Sequence, residues 1–427
     1  MDIRSYLITR KERIDSINVV PRASTASFTK DLITSIIGPR RSGKTFYLYY
    51  LIKSLNLKKE DYLFINFEEV FDRVDAENLV FIHKEIYGKE PEYLFFDEVQ
   101  SLNSWEHYVY SLYESKRHYI FLTGSSSKLL SREIATQLRG RSLPFYIYPF
   151  SFAEILKQRG IKIDKETMYN RYRISEIMRL LENVLINGTF PDIVLNNVEP
   201  SKFVANYIDL VIYKDIIQRY NIKNRYALEF LVKSSISSMA SKFSINKVHN
   251  TLKSQNVKVG KNLLYSFQKI LSDIQFAFYL RKYHTDQSVR RVELSIPKAY
   301  LVDNALYSFI EYKRDLGKLM ENFVLLELVK AGYEVNKNIF YFEDKNAEVD
   351  FVIKKDRVEE LVQVSYANDK VEEREYSNLA QASSMLNCSN LTIITWDIED
   401  KMTVDNKEIR LIPLWKWLLT RADLLQG

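Results

Sequence analysis

The sequence predicts an α/β protein of several domains, the first built on a parallel sheet. Three observations lead there. Short apolar runs of strand length at 32–37, 62–67, 93–96 and 119–123 alternate with helical stretches such as Thr45–Leu55 and Trp105–Ser115, the pattern of βαβ units. A chain of 427 residues exceeds what one small core accommodates. Apolar residues at 46% and charged residues at 27% describe an ordinary globular composition rather than a disordered one.

Composition also narrows the function classes. No run of about 18 apolar residues is present, so no membrane span is expected. The N-terminal MDIRSYLITRKERID lacks the apolar region of a cleavable signal, which makes the cytoplasm the expected location. Cys388 is the single cysteine, which excludes an internal disulfide framework and a cysteine-based zinc module. Glycine is scarce, 11 residues in all, so each is expected to mark a backbone position that needs one. Gly38, Gly43, Gly124 and Gly140 fall in one chemical context.

That context is a phosphate site. Gly38, Pro39, Arg40, Arg41, Ser42, Gly43, Lys44 and Thr45 match G-x-x-x-x-G-K-[ST], between an apolar strand and a helix that continues with Phe46. The glycines let backbone N–H groups fold into a nest around phosphate, and the helix N-terminus adds partial positive charge. Lys44 is expected to reach the β- and γ-phosphates of ATP, and the Thr45 hydroxyl to ligate Mg²⁺. Downstream, the strand Tyr93–Phe96 ends in Asp97 and Glu98. Asp97 would hold the Mg²⁺ shell and Glu98 would polarise the attacking water. The strand at 119–123 ends beside a further polar candidate, Thr123 or Ser125, placed to sense the γ-phosphate.

The succession GPRRSGKT, FFDEVQ, FLTGSSS, LRGR, YPFSFAEIL and NGTFPDIV resembles the prokaryotic, archaeal-type AAA+ P-loop ATPases that carry a C-terminal restriction-endonuclease-like domain. The resemblance implies a P-loop NTPase sheet over 1–150 and a helical lid over 151–222. It also offers Arg139 or Arg141 as the arginine that stabilises transition-state charge, in cis or from a neighbouring subunit of a homo-oligomer; Arg141 matches the pattern better.

The third region, 223–312, suits a winged-helix domain. Between Lys242 and Lys298, 11 Lys/Arg face 3 Asp/Glu, a net of +8 in a chain whose total is +6. Ser244–Ser254 is expected as one helix and Lys261–Leu280 as a longer one, with Leu264, Phe267, Leu271, Ile274 and Phe278 facing the core. Lys258, Lys261, Asn262, Tyr265 and Lys269, with Arg290 and Arg291 opening a basic hairpin, suit sequence-independent contacts to DNA phosphates.

For the last region, 313–427, the resemblance implies a nuclease-like α/β domain with an acid on a helix, an Asp on a strand and E-x-K on the next. Glu321 and Asp350 take the first two places, but Gln363 and Ser365 stand where E-x-K belongs, so a degenerate centre is expected. A hairpin turn centred between Asp356 and Arg357 pairs Asp350 with Gln363 and Glu348 with Ser365, putting these polar side chains on one face. The expected function is a Mg²⁺-dependent ATPase coupled to DNA binding or remodelling. Its alternatives are a slow nucleotide switch that binds a protein partner, and an active DNA nuclease.

Overall fold

The computed structural model describes residues 2–70, 78–124, 140–196, 198–285, 295–308, 310, 314–345 and 347–422. Its contacts divide into two compact units, Met1–Pro149 and Phe150–Gly427.

In the first unit β1 (Ile33–Ile37), β2 (Tyr62–Asn66), β3 (Tyr93–Asp97), β4 (Tyr119–Gly124) and β5 (Ser142–Tyr146) form one parallel sheet in the order β2-β3-β4-β1-β5. Four strands coincide with the apolar runs. The fifth was not expected, because Pro144 interrupts it and its side chains are mostly half-buried or exposed. Proline is tolerated there because β5 is an edge strand. Alternation splits β3 between two cores. Leu94 and Phe96 pack with α1 (Ile3–Ser16), α3 (Leu79–Tyr87) and α4 (Trp105–Glu114), while Phe95 packs with Phe121 and α2 (Lys44–Ser54). Full burial of each such phenylalanine contributes roughly 1.5–3 kcal/mol.

The second unit opens with α5 (Phe152–Gln158), started by a reciprocal capping box between Ser151 and Glu154. It continues through α6 (Arg171–Asn187), α7 (Pro191–Asn196) and α8 (Pro200–Leu210), which runs on through a π-helical stretch, Val211–Ile217. Next come α9 (Arg225–Ser237), β6 (Ser241–Lys242), α10 (Ile245–Ser254), α11 (Lys261–Asp273), β7 (Ala277–Leu280) and β8 (Lys298–Leu301), the three strands forming an antiparallel sheet β6-β8-β7. Two expectations are corrected here. The helix expected over Lys261–Leu280 stops at Asp273, because Gln275 adopts a left-handed conformation (φ 56°) that turns the chain. Phe278 therefore lies on β7, which pairs antiparallel with β8, while the start of the hairpin expected from Arg290 lies outside the described residues.

A mixed six-stranded sheet closes the unit in the order β13-β14-β12-β11-β10-β9, with β9 (Ile339–Glu343), β10 (Glu348–Lys354), β11 (Val358–Ser365), β12 (Leu391–Thr395), β13 (Asp400–Val404) and β14 (Lys407–Pro413). Helices α12 (Leu316–Lys330), α13 (Glu373–Leu386) and α14 (Leu414–Ala422) accompany it. No helix among the described residues is long and apolar enough to cross a membrane.

Candidate functional site

The loop between β1 and α2 has the backbone that a phosphate cradle needs. Gly43, which precedes α2, sits at φ 93°, a conformation that costs a side-chain-bearing residue energy, and Arg41 is also left-handed (φ 61°). A Cβ on Gly38 would lie 2.0 Å from the Ile147 carbonyl oxygen, so only glycine fits. Lys44, 5% exposed, donates to the carbonyls of Gly38 (3.0 Å) and Pro39 (2.9 Å). The buried Ser42 hydroxyl has no hydrogen-bond partner among the described residues. Arg40 is half-buried, and Phe46 is 53% exposed on the first turn of α2.

Beside the loop, the carboxylate of Asp97 is fully buried and gathers three donors. Thr45 Oγ1 donates to it at 2.9 Å, Asn66 Nδ2 at 2.8 Å, and Thr123 Oγ1 through a short hydrogen bond. Burial first, and then the neighbouring charge of Glu98, push the Asp97 carboxyl up to about 6. Thr123 Oγ1 also accepts from the Glu98 backbone N–H (3.1 Å), so the expected sensor residue binds both acids of the strand end. Glu98 is left-handed (φ 50°), and its carboxylate accepts from Gln100 Nε2 at 2.5 Å. Sequence reasoning missed Asn66 and Gln100. The signal for Asn66 was a polar residue ending an apolar strand that neighbours the acid-bearing strand.

Arg141 stands apart from this cluster. Its backbone carbonyl accepts from Ile33 N–H, at the start of β1, whereas the phosphate loop follows the end of the same strand. The strand separates them by roughly 13 Å. The guanidinium pairs with Glu114 at 2.8 Å and lies over the rings of Tyr110 and Tyr113. In this arrangement the guanidinium is engaged with Glu114 and the two tyrosine rings rather than with the phosphate loop. Ser125 and Arg139 lie outside the described residues.

In the second unit, α11 buries Leu264, Phe267 and Leu271 and presents Lys261, Asn262, Tyr265 and Lys269 to solvent, with Lys258 exposed just before it. Arg290 and Arg291 lie outside the described residues.

The hairpin β10–β11 pairs Phe351 with Val362, the register in which Asp350 faces Gln363. Near the turn the register slips by one, so that Lys354 pairs with Val358 and the centre expected at Asp356–Arg357 does not hold. Gln363 is buried and its side-chain carbonyl accepts from the Asp350 backbone N–H (3.2 Å), while Ser365 is half-buried at the end of β11. A residue from another strand enters this cluster. Lys298, on β8, is buried with its ammonium 2.9 Å from Asp350, 3.1 Å from Glu348 and 3.5 Å from Glu321. Burial opposes its charge, but Asp350 above all, with Glu321 and Glu348, holds the ammonium protonated well above the ordinary lysine range. Burial raises the Glu321 carboxyl, and Tyr300 donates to it at 2.7 Å. Glu375, on α13, is also raised by burial. Lys298 was missed because it precedes Glu321 by a whole segment and sat in what read as a basic stretch. Among the described residues, no group of three or more His, Cys, Asp or Glu side chains is placed to hold a metal ion.

Residues 30–156 match the family model of an AAA domain. Residues 178–316 and 316–417 match two domains of unknown function, DUF8612 and DUF4143. MJ1544, an uncharacterized protein of Methanocaldococcus jannaschii, is 36% identical over 399 residues, spanning 91% of this chain and 88% of its own. The chain belongs to its family. An uncharacterized protein of Haemophilus influenzae is 27% identical, over 90% of this chain and 94% of that one. Among solved structures, a Walker-type ATPase of Pyrococcus abyssi superposes with a TM-score of 0.41 at 13% identity, covering 72% of this chain and 95% of that one. The family match over 30–156, with the complete G-x-x-x-x-G-K-[ST] loop inside it, makes the first unit an AAA-type P-loop domain.

Proposed function

We propose that the protein is a Mg²⁺-dependent ATPase whose nucleotide state is coupled to DNA binding. The observation that carries this reading is the convergence of Lys44, Thr45 and Asp97 at one end of the sheet, beside a loop in which a glycine Cβ would collide with backbone. The residues suit the ligands: hard oxygen donors from Thr45 and Asp97 for the metal, and an orphaned Ser42 hydroxyl and a lysine for phosphate. When bound, Mg²⁺ neutralises charge on the phosphate oxygens. Lys44 exchanges its two loop carbonyls for phosphate oxygens. Thr123 and Asn66 fix the Asp97 carboxylate, and Glu98 accepts a proton from the attacking water. Arg141 would act in trans, donating its guanidinium to a neighbouring subunit's nucleotide in a homo-oligomer.

The three helices and small antiparallel sheet of 225–301 follow the order of a winged helix, with α11 in the recognition position, and its basic exposed face favours DNA phosphates regardless of sequence. The C-terminal α/β region is read as a nuclease-like domain that does not cut. Gln363 offers a neutral carbonyl where metal chemistry asks for a carboxylate, and Lys298 already balances the remaining acids. The nucleotide reading is tested by ATP binding and turnover in the Lys44→Ala and Glu98→Gln variants. Lys44→Ala should lose binding, and Glu98→Gln should bind without turning over. Wild-type rates in both would reject it.

A further inference from the structure

The segment between α5 and α6 carries an exposed feature that the nucleotide site and the basic face of α11 do not use. Tyr169 is 87% exposed and Tyr172 is 90% exposed, three residues apart at the start of α6. Tyrosine is ordinarily at least partly buried, and neither ring makes an aromatic, cation–π or hydrogen-bonding side-chain contact among the described residues. Around them, Lys162, Lys165 and Arg171 are exposed and form no ion pair among the described residues. From Lys157 to Arg173 the chain has six Lys/Arg and two Asp/Glu.

The backbone under this patch is fixed without the tyrosines. Asp164 accepts from the Thr167 backbone N–H (2.8 Å) and hydroxyl (2.9 Å), and Arg173 donates to both oxygens of that carboxylate (2.9 Å each). Thr167 is fully buried. Asn170 caps α6 by accepting from the N–H groups of Tyr172 and Arg173. One of the two acids is thus consumed by Arg173, and the rings and the three free cations are presented on a loop that is already ordered. Pre-ordering lowers the entropy cost of binding.

We propose that this loop and the first turn of α6 form a binding platform for single-stranded nucleic acid, distinct from the duplex contacts assigned to α11. Phosphates explain the cations, and unpaired bases explain the rings. A duplex hides its base faces within the stack, and the carboxylates of an acidic peptide would engage the cations but not the rings. Stacking on a protein aromatic ring contributes to binding whatever the base, so the platform is expected to be indifferent to sequence.

The test is fluorescence anisotropy of the full-length chain with labelled oligo-dT of about 20 nucleotides and with a duplex of equal length, a span that exceeds common single-strand site sizes. Tyr169→Ala/Tyr172→Ala should bind oligo-dT at least about tenfold more weakly while duplex affinity stays within about twofold. Tyr169→Phe/Tyr172→Phe should bind both as the wild type does, since stacking does not need the hydroxyl. Absence of oligo-dT binding in the wild type, an unchanged affinity in the Ala pair, or an equal loss for single strand and duplex would each overturn the proposal. Sedimentation velocity supplies a further arm: self-association abolished by the Ala pair, with oligo-dT binding intact, would assign the patch to a second copy instead. Replacement of Lys258, Lys261 and Lys269 should leave oligo-dT binding by the platform in place, so this proposal and the α11 reading fail separately.

Discussion

Replacing Lys298 by methionine removes the one cation that, among the described residues, lies within 3.5 Å of all three of Asp350, Glu348 and Glu321. The side chains of Asp350 and Glu321 are 7% and 13% exposed, so water cannot take over the ammonium's role without opening the fold. Breaking a buried ion pair from one side costs about 3–5 kcal/mol. For a unit of this size that corresponds to a fall in Tm of about 6–20 °C. Three of the four tryptophans, Trp396, Trp415 and Trp417, lie in the C-terminal region, so a tryptophan-fluorescence melt reports on it directly. The double variant Lys298→Met/Asp350→Asn should recover a substantial part of the loss, because a neutral pair no longer leaves a buried charge unpaired. The pH dependence has a definite sign. Glu321 is raised in the folded state by burial, so between the unfolded carboxylate range and that raised value the folded chain holds more protons than the unfolded one. The stability of Lys298→Met should therefore fall as pH rises through that window and be greater at about pH 5 than at about pH 8. A Tm within about 2 °C of the wild type, or double-variant losses that simply add, would refute the reasoning.

Mixing Glu98→Gln subunits with Arg141→Ala subunits should restore part of the ATPase rate that each lacks alone, because each supplies the other's missing group at a shared interface; no recovery in a mixture shown to co-assemble would favour an arginine that acts in cis or only in its structural contacts with Glu114, Tyr110 and Tyr113. Replacing Lys258, Lys261 and Lys269 together should weaken binding to every duplex sequence and lower the slope of log K against log salt by about three, one counterion for each lost phosphate contact. Purified protein incubated with Mg²⁺ or Mn²⁺ should leave duplex, branched and single-stranded DNA uncut; cleavage that vanishes in Asp350→Ala would show that the C-terminal acids do hold a working metal.

The nucleotide site was legible in the sequence because its parts are contiguous, two short runs each tied to the end of a strand. Asn66 was harder, since it comes from a third strand and reaches Asp97 only once β2 and β3 are paired. Hairpin alternation foretold that Asp350 faces Gln363, as the β10–β11 register has it, but it could not name Lys298, which arrives from β8. The helix drawn to Leu280 went wrong for a specific reason. Apolar spacing of three to four continued from Ile274 to Phe278 across a left-handed turn at Gln275 that no proline or glycine announced. The hairpin β13–β14 did leave a signal, the Asp405–Asn406 pair with both residues at positive φ, but β13 is almost wholly exposed and shows no alternation. Arg141 illustrates a different limit: its motif was visible, but its distance from the phosphate loop depended on which end of a parallel strand it joined.

The central claim, that ATP turnover at the Lys44–Asp97–Glu98 site is coupled to DNA on the basic face of α11, is tested most directly by the steady-state ATPase rate with and without duplex DNA. The rate should rise on adding duplex in the wild type, stay at its basal level in the Lys258, Lys261 and Lys269 variant, and vanish in Glu98→Gln under both conditions. A wild-type rate indifferent to DNA, or one that survives Glu98→Gln, would contradict the account.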